Sequence, residues 1–424
     1  MRKVVLYADI DTPRLRYVVD VIFVHWLNCN VELHADPTRK SDLSYAAHQP
    51  EAGGLWIPAE GSAILQTELH KQPAYSYDEA MLRLYPTAHD QAWQHDVFAA
   101  VFWFISRMEE QTDFVSTDQH GRFLYSDSFF SKNQIIPRVW VEDWIVELGA
   151  ALNLEPVQPK QEVLGWDLDN AYCYKGKPIF RRLGLAMKQL LSGQIGTCLA
   201  ALGLGKDPHD IYADLLEMMD ENHKWIFFIP LANRSDFDRN IGYDSKKYQE
   251  LVVMLHQRAQ VGIHLGYAGH EGLDEHKAEI ERLESITGKQ VKDNRFHYLK
   301  QVIPQSWAAL EKLGIERDHS LGYADRIGAR AGVSWSFPCY DLVRECALKL
   351  EVFPFIIMDE TLRASMGWGA EKWAEIENEL SALVRDCSQV NWVFHPDLLG
   401  EVNQWRGYSA SGWKLIRDIV GRGN

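Results

Sequence analysis

The sequence has no CxxC pair: its six cysteines, Cys29, Cys173, Cys198, Cys339, Cys346 and Cys387, are scattered along the chain. That excludes a zinc ribbon and a small disulfide-stapled fold, and buried thiols in a reducing cytoplasm are the expectation. Long apolar runs are also missing, since no stretch approaches the roughly 18 to 20 uncharged apolar residues of a membrane-spanning helix. The basic start MRKVVLYADID meets Asp9 and Asp11, and RYVVDVIFV meets Asp20, before either reaches signal-peptide length. The chain therefore reads as unexported and soluble. Positive charge is scarce, with 44 Lys and Arg against 59 Asp and Glu and a formal net charge of −15. Such a balance disfavours nucleic acid or anionic lipid as a partner for the surface as a whole and fits a neutral or cationic substrate.

What is present is a globular composition, 46% hydrophobic and 24% charged over 424 residues, without a low-complexity tract. That length implies two domains or one large barrel with an extension. The 15 tryptophans are numerous, and aromatic faces stack on sugar rings, although most Trp residues serve as core. KVVLYADI reads as a strand, and the segment from Pro13 carries Leu15, Val18, Val19, Ile22, Phe23 and Trp26 at helical spacing. HDVFAAVFWFISRMEE, residues 95–110, is apolar nearly all round and predicts a buried helix, followed by the polar turn DQHGRF at 118–123. Residues 1–155 are assigned to an N-terminal α/β domain, with NLEPVQPKQE as the linker.

Over residues 156–424 strands and helices alternate. EVLGWDLD, KWIFFIPL, QVGIHLGY, NRFHYL, HSLGY, PFIIMDE and VNWVFHPD are strand-like, and KKYQELVVMLHQRAQ and EHKAEIERLESI are helical. This pattern predicts a parallel sheet, open or closed into a (β/α) barrel, with acids and histidines at strand ends gathered around one mouth. Asp167 and Asp169 form a D-x-D at the end of the first strand, so that one carboxylate can bind a metal while the other acts as base, or the second can cap the next segment. His264 ends a strand, and His270 follows across a Gly-rich turn; imidazoles beside a carboxylate suit a divalent metal. Arg295, His297 and Tyr298 arrive together in NRFHYLK, and His395 follows the last strand in VNWVFHPDL, where it suits a general acid.

The succession D-x-D, a His-bearing third strand, an R-x-x-Y strand end and a final F-H-P resembles the motifs of the polysaccharide-deacetylase superfamily, carbohydrate esterase family four. The resemblance covers about residues 160–424, and the SRMEE and HGRF segments look like an uncharacterised module that precedes such barrels in some bacterial proteins. It implies a distorted (β/α) barrel behind a smaller α/β domain. It also implies Asp167 as general base, Asp169 and His264 as metal ligands, and Arg295 as the residue orienting the base. The Tyr298 amide would serve the oxyanion and His395 would be the general acid, with zinc the expected metal.

Position 268, where the family's second histidine falls, is Ala268. His270 and His297 are the two available replacements, and His297 is preferred because a strand end is more rigid than a Gly-flanked loop. Trp166 replaces a smaller residue and is expected to reshape the pocket. In GYADRIGARAGVSWSFP, Arg330 is read either as a ligand for a substrate carboxylate or phosphate or as a surface residue of a barrel-wall loop. Asp325 is expected to tune a histidine, and Asp359 in IIMDETL either lines the mouth or caps a helix. The implied activity is removal of an N- or O-acyl group from an amino-sugar or glycan. The alternatives are hydrolysis of a small non-sugar amide and a catalytically silent glycan-binding barrel, the latter favoured by Ala268.

Overall fold

The computed structural model describes residues 2–66, 72–78, 80–90, 92–111, 115–157, 161–364, 367, 372–385 and 387–421. Residues 158–160 of the expected linker lie outside the described residues. The N-terminal strands β1 (Lys3–Ala8), β2 (Asn30–His34), β3 (Leu43–Ala46) and β4 (Leu55–Pro58) form a parallel sheet in the order β2-β1-β3-β4. A separate antiparallel pair joins β5 (Tyr75–Asp78) to β6 (Met81–Leu84). The expected first helix is Pro13–Val19, capped by the Thr12 side chain and continued by a π-helical turn, Asp20–Trp26. The second expected helix is Val97–Ile105, all nine residues of which are buried. A helix apolar on every side must be covered on every side.

The larger sheet uses β7 (Gln161–Asp167), β8 (Lys224–Ile229), β9 (Gln260–Leu265), β10 (Asp293–Phe296), β11 (Arg317–Asp318), β12 (Phe337–Asp341), β13 (Cys346–Val352), β14 (Ile357–Met358) and β15 (Gln389–Phe394). Its order is β12-β13-β11-β10-β9-β8-β7-β15-β14, parallel throughout except between β12 and β13. Every residue of β15 and nearly all of β8 are buried, as a parallel sheet covered on both faces requires. HSLGY and PFIIMDE contribute less strand than expected: β11 ends at Asp318, and β14 holds two residues. The β12–β13 hairpin was not anticipated. In β13 the buried Leu348, Leu350 and Val352 alternate with Lys349 and Glu351, a half-covered strand unlike the continuous apolar runs elsewhere. Beyond it, Phe353 N–H donates to Asp318 O (2.8 Å), Phe355 N–H to Leu321 O (2.9 Å) and Ile356 N–H to Asn391 O (3.0 Å), carrying the chain from β11 across to β15.

The two sheets share one apolar core. Tyr17 Oη donates to Pro338 O (2.6 Å) and Trp26 Nε1 to Ser336 O (2.9 Å), so the first helical segment is fastened to the β12 region. Deeper in, Arg107 is ion-paired with Glu109 and Glu110, and it also donates to the Arg330 carbonyl at 2.6 Å. Breaking such a buried network strands a charge, at a cost of about 3–5 kcal/mol. Because the central strands run parallel, their C-terminal ends lie along one rim, where loops gather polar side chains.

Candidate metal centre and active-site pocket

Gly165 and Asp167 lie on one face of β7, and Trp166 lies on the other. Trp166 is fully buried between its cross-strand neighbours Phe227 and Phe394. Its ring therefore stands away from the pocket it was expected to reshape, because a period of two sends neighbouring side chains to opposite faces. Asp167 accepts from Arg295 Nη1 at 2.8 Å, and Arg295 Nε donates to His319 O at 3.0 Å. The guanidinium fits because position 165 lacks a side chain: a Cβ there would stand 2.7 Å from Arg295 Nη1. After Asp167 the chain leaves the extended conformation, so the two carboxylates of D-x-D splay apart.

Asp169 turns instead toward two histidines. Its Oδ1 lies 2.9 Å from His264 Nε2, and its Oδ2 lies 3.5 Å from His297 Nε2. The other nitrogen of each ring is committed. His264 Nδ1 lies 2.9 Å from the Arg295 carbonyl, and His297 Nδ1 lies 2.9 Å from Asp238 Oδ1. Carbonyl and carboxylate oxygens only accept, so Nδ1 carries the proton in both rings and a neutral ring turns its Nε2 lone pair to Asp169. One donor atom from each of Asp169, His264 and His297 lies within 4.8 Å of the others. Three electron-rich atoms so placed repel one another unless a cation stands among them. Although burial opposes charge there, Asp169 is held well below the usual carboxylate range by the two imidazoles, His297 first. Burial likewise opposes charge on His297, yet Asp169 and Asp238 raise it to about 10, so a proton on Nε2 is one such cation, and a metal ion that takes its place displaces it. One carboxylate and two imidazoles form a donor set that suits zinc or a similar divalent ion.

His395 follows β15. Asp359, at the end of β14, accepts from both the His395 backbone N–H (2.7 Å) and its Nδ1 (2.8 Å). Nε2 is thereby aimed at Asp167 Oδ2 (3.9 Å) and Asp169 Oδ2 (3.8 Å). Burial works against an imidazolium, but Asp359 and then Asp169 and Asp167 push the ring well above its ordinary value. Of the two readings of Asp359, lining the mouth and capping, the first fails because the residue is fully buried, while the second has the Glu360 N–H bond to Oδ1 (2.6 Å) at the start of the helix Asp359–Ala364, and orienting His395 is a further role.

The rim next to β10 is a left-handed turn, with Tyr298 at φ 58° and Leu299 at φ 53°. The bond closing it runs from Lys300 N–H to His297 O, leaving the Tyr298 N–H outside the turn's own bonding. The turn is held from the N-terminal region: Arg122, paired with Asp118, donates through Nη1 to Tyr298 O at 3.2 Å. From the same 118–123 turn, the His120 ring packs on Tyr298, 4.8 Å between centroids. Asp167, Asp169, His264, His297, Tyr298 and His395 line one cavity of about 250 Å³, walled by Arg122, Leu299, Met358 and Trp405.

Three residues singled out in the sequence lie elsewhere. Arg330 is buried and forms a two-pronged pair with Glu110 (3.0 and 2.7 Å), while Nη1 donates to Gly322 O at 2.9 Å. It ties the turn after the helix Val97–Ile105 to the loop between β11 and β12, and it does not line the candidate cavity. The neighbouring Gly328, at φ 133°, is required because a Cβ would meet Pro137 at 2.6 Å. Asp325 faces the Tyr125 N–H, 3.4 Å from each carboxylate oxygen, and no histidine. His270 sits in the 3₁₀ turn Gly269–Glu271 and does not line the cavity. The sequence reading missed Asp238, an acid in the loop after β8, although a carboxylate following a parallel strand is the signal used elsewhere. Arg122 and Trp405 carried no signal of their own.

Residues 4–155 match a family described as one of unknown function, DUF7033. No curated protein matches the chain. Among solved structures, the chain is similar to a Mycobacterium smegmatis protein assigned to the polysaccharide deacetylases, with 17% identity, 62% of this chain and 85% of that one covered, and a TM-score of 0.37. It is also similar to a polysaccharide deacetylase from Bacillus cereus, with 16% identity, 61% and 88% covered, and a TM-score of 0.24. A third is a mutant of a CE4 family pseudoenzyme with restored enzymatic activity, with 11% identity, 62% and 64% covered, and a TM-score of 0.26.

Proposed function

We propose that this protein is a metal-dependent hydrolase that removes an acyl group, acetyl in the simplest case, from nitrogen or oxygen of an amino-sugar unit. The observation that carries the reading is the convergence of Asp169, His264 and His297, each histidine held by a second partner on Nδ1. A divalent ion at that point, zinc by donor type, would polarise the acyl carbonyl and acidify a water molecule. Asp167, steadied by Arg295, takes the proton from the attacking water. The Tyr298 N–H donates to the oxygen that gains charge as water adds to the acyl carbon. His395, oriented by Asp359, delivers its Nε2 proton to the leaving amine or alkoxide as the bond to the acyl carbon breaks.

The same reading takes the larger sheet as a distorted (β/α) barrel, supported by the bonds Phe355 N–H to Leu321 O and Ile356 N–H to Asn391 O that link its two sides. It keeps residues 1–155 and 156–424 as two units, with the first supplying the 118–123 turn to the rim. A cavity of about 250 Å³ is below the usual size for drug-sized ligands. A space of that size takes one amino-sugar unit or a small amide, and hydrolysis of a small amide is the second reading. Acetate release from N-acetylated amino-sugar monomers and oligomers and from small cyclic and acyclic amides tests both. Release from the sugars that is lost in Asp167→Asn supports the first reading, and turnover of amides alone supports the second. Turnover of neither by metal-loaded protein contradicts both.

A further inference from the structure

Between β7 and β8 the chain makes a helical hairpin that the pocket chemistry does not use: Ile179–Leu191 followed by Ile195–Leu202. Its composition differs from that of the rest of the molecule. Residues 170–206 contain Lys175, Lys177, Arg181, Arg182, Lys188 and Lys206 and not one Asp or Glu, in a chain whose formal net charge is −15. Lys175 and Lys206 pair with Asp210 and Asp214 just beyond the hairpin, and Arg182 donates to Ala201 O. Arg181 and Lys188, seven residues apart and so two turns along one side of the first helix, are exposed.

The apolar residues face outward. On the first helix Ile179, Phe180, Leu183, Met187, Leu190 and Leu191 are all exposed, Phe180 to 68% and Leu191 to 82%. At 100° per residue they occupy a single arc, with Arg181 and Lys188 on its flank and the buried Ala186 and Gln189 on the side turned inward. The second helix exposes Ile195, Leu199 and Leu202, again one stripe. Soluble monomers scatter exposed apolar side chains singly, and a continuous patch marks a docking surface. The inner side of the hairpin packs Cys173, Ala186, Cys198 and Ala201 on Val402, two residues from Gln404 and three from Trp405 on the pocket wall. The patch therefore lies beside the rim that carries the candidate site.

We propose that this hairpin seats the protein on an anionic lipid surface, its apolar arc entering the headgroup region and Arg181 and Lys188 meeting lipid phosphates. The combination of an apolar face, a basic flank and no acidic residue is that of an interfacial helix. The charge of the whole chain argues against anionic lipid as a general partner, but within a Debye length of about 8–10 Å the local charge dominates. A protein partner or a second copy would cover the apolar arc equally well, yet would leave the absence of acids over this stretch without a purpose.

Cosedimentation of the full chain tests this, using vesicles of phosphatidylglycerol mixed with phosphatidylcholine, and of phosphatidylcholine alone, at low and high salt. Binding to the anionic vesicles should weaken with salt. It should fall about tenfold or more in Leu183→Glu/Met187→Glu and in Arg181→Glu/Lys188→Glu, since each basic residue at the surface contributes about 1 kcal/mol. All four substitutions are on exposed positions, and circular dichroism checks that the variants fold. No binding of the wild type to anionic vesicles, equal binding to neutral ones, or wild-type binding by both variants overturns the proposal. So does a wild-type dimer in light scattering that Leu183→Glu/Met187→Glu dissociates and vesicles do not compete.

Discussion

His264 Nδ1 lies 2.9 Å from the carbonyl oxygen of Arg295, and the side chain of the same Arg295 holds Asp167 at 2.8 Å. One residue of β10 thus orients a candidate ligand with its backbone and the candidate base with its side chain. The candidate metal-binding half and the candidate base are coupled through a single strand position.

Gly165→Ala tests that coupling. The added Cβ would stand 2.7 Å from the guanidinium, and a displaced Arg295 no longer holds Asp167. A misplacement of about 1 Å costs on the order of 10²-fold in rate. We expect kcat to fall by about that factor while metal content stays at the wild-type level, with steady-state kinetics and metal analysis on one preparation as the measurement.

Asp359→Asn removes the carboxylate that raises His395. A general acid works only below its pKa, so losing this partner should move the basic limb of the kcat–pH profile to lower pH. His395→Ala should cost about 10²–10⁴-fold in kcat, with the greatest loss on substrates whose leaving group most needs a proton. A basic limb that stays in place in Asp359→Asn would remove His395 from its assigned role.

Arg122→Ala should lower kcat/KM by about tenfold, the order of one hydrogen bond from a charged donor, because Tyr298 loses the contact that pins its carbonyl. Arg122→Lys should recover part of the loss. Unchanged kinetics in both would mean that the 118–123 turn covers the rim without shaping it.

Glu142 gives a stability signature independent of the pocket. Burial raises its carboxyl from 4.5 to about 8, against bonds from the Ser334 N–H and hydroxyl that lower it. The folded state therefore holds a proton that the unfolded chain releases above about pH 4.5. Its stabilising effect is full below that pH and is lost as pH rises toward about 8. Denaturant titrations from pH 5 to 8 should show stability declining with pH, and Glu142→Gln should flatten the decline; an equal slope in the two proteins would contradict this.

Much of the frame was legible in the sequence because it rests on local pattern. The apolar runs of β7, β8, β9 and β15 and the strand-end positions of Asp167, His264 and His395 follow from periodicity alone. His297 could be preferred over His270 because a strand end is stiffer than a glycine-flanked turn, and it is His297 that stands beside Asp169. Arg330 could not be placed, since its partner Glu110 lies 220 positions away and its neighbouring glycines serve packing, Gly328 against Pro137 and Gly332 against Val141. Arg122 acts through a contact of 176 positions, which no local pattern encodes, and Asp238 follows a parallel strand as other site acids do, but its partner His297 lies 59 positions away. Gly165 did carry a sign: a glycine inside a buried strand marks the close approach of another group.

The most direct measurement is the metal content of the purified protein and of two histidine variants by mass spectrometry. Wild type and His270→Ala should each retain a divalent transition metal at one ion per chain, and His297→Ala should lose it while keeping the wild-type circular dichroism spectrum. Metal retained in His297→Ala, or lost in His270→Ala, would contradict the centre built on Asp169, His264 and His297.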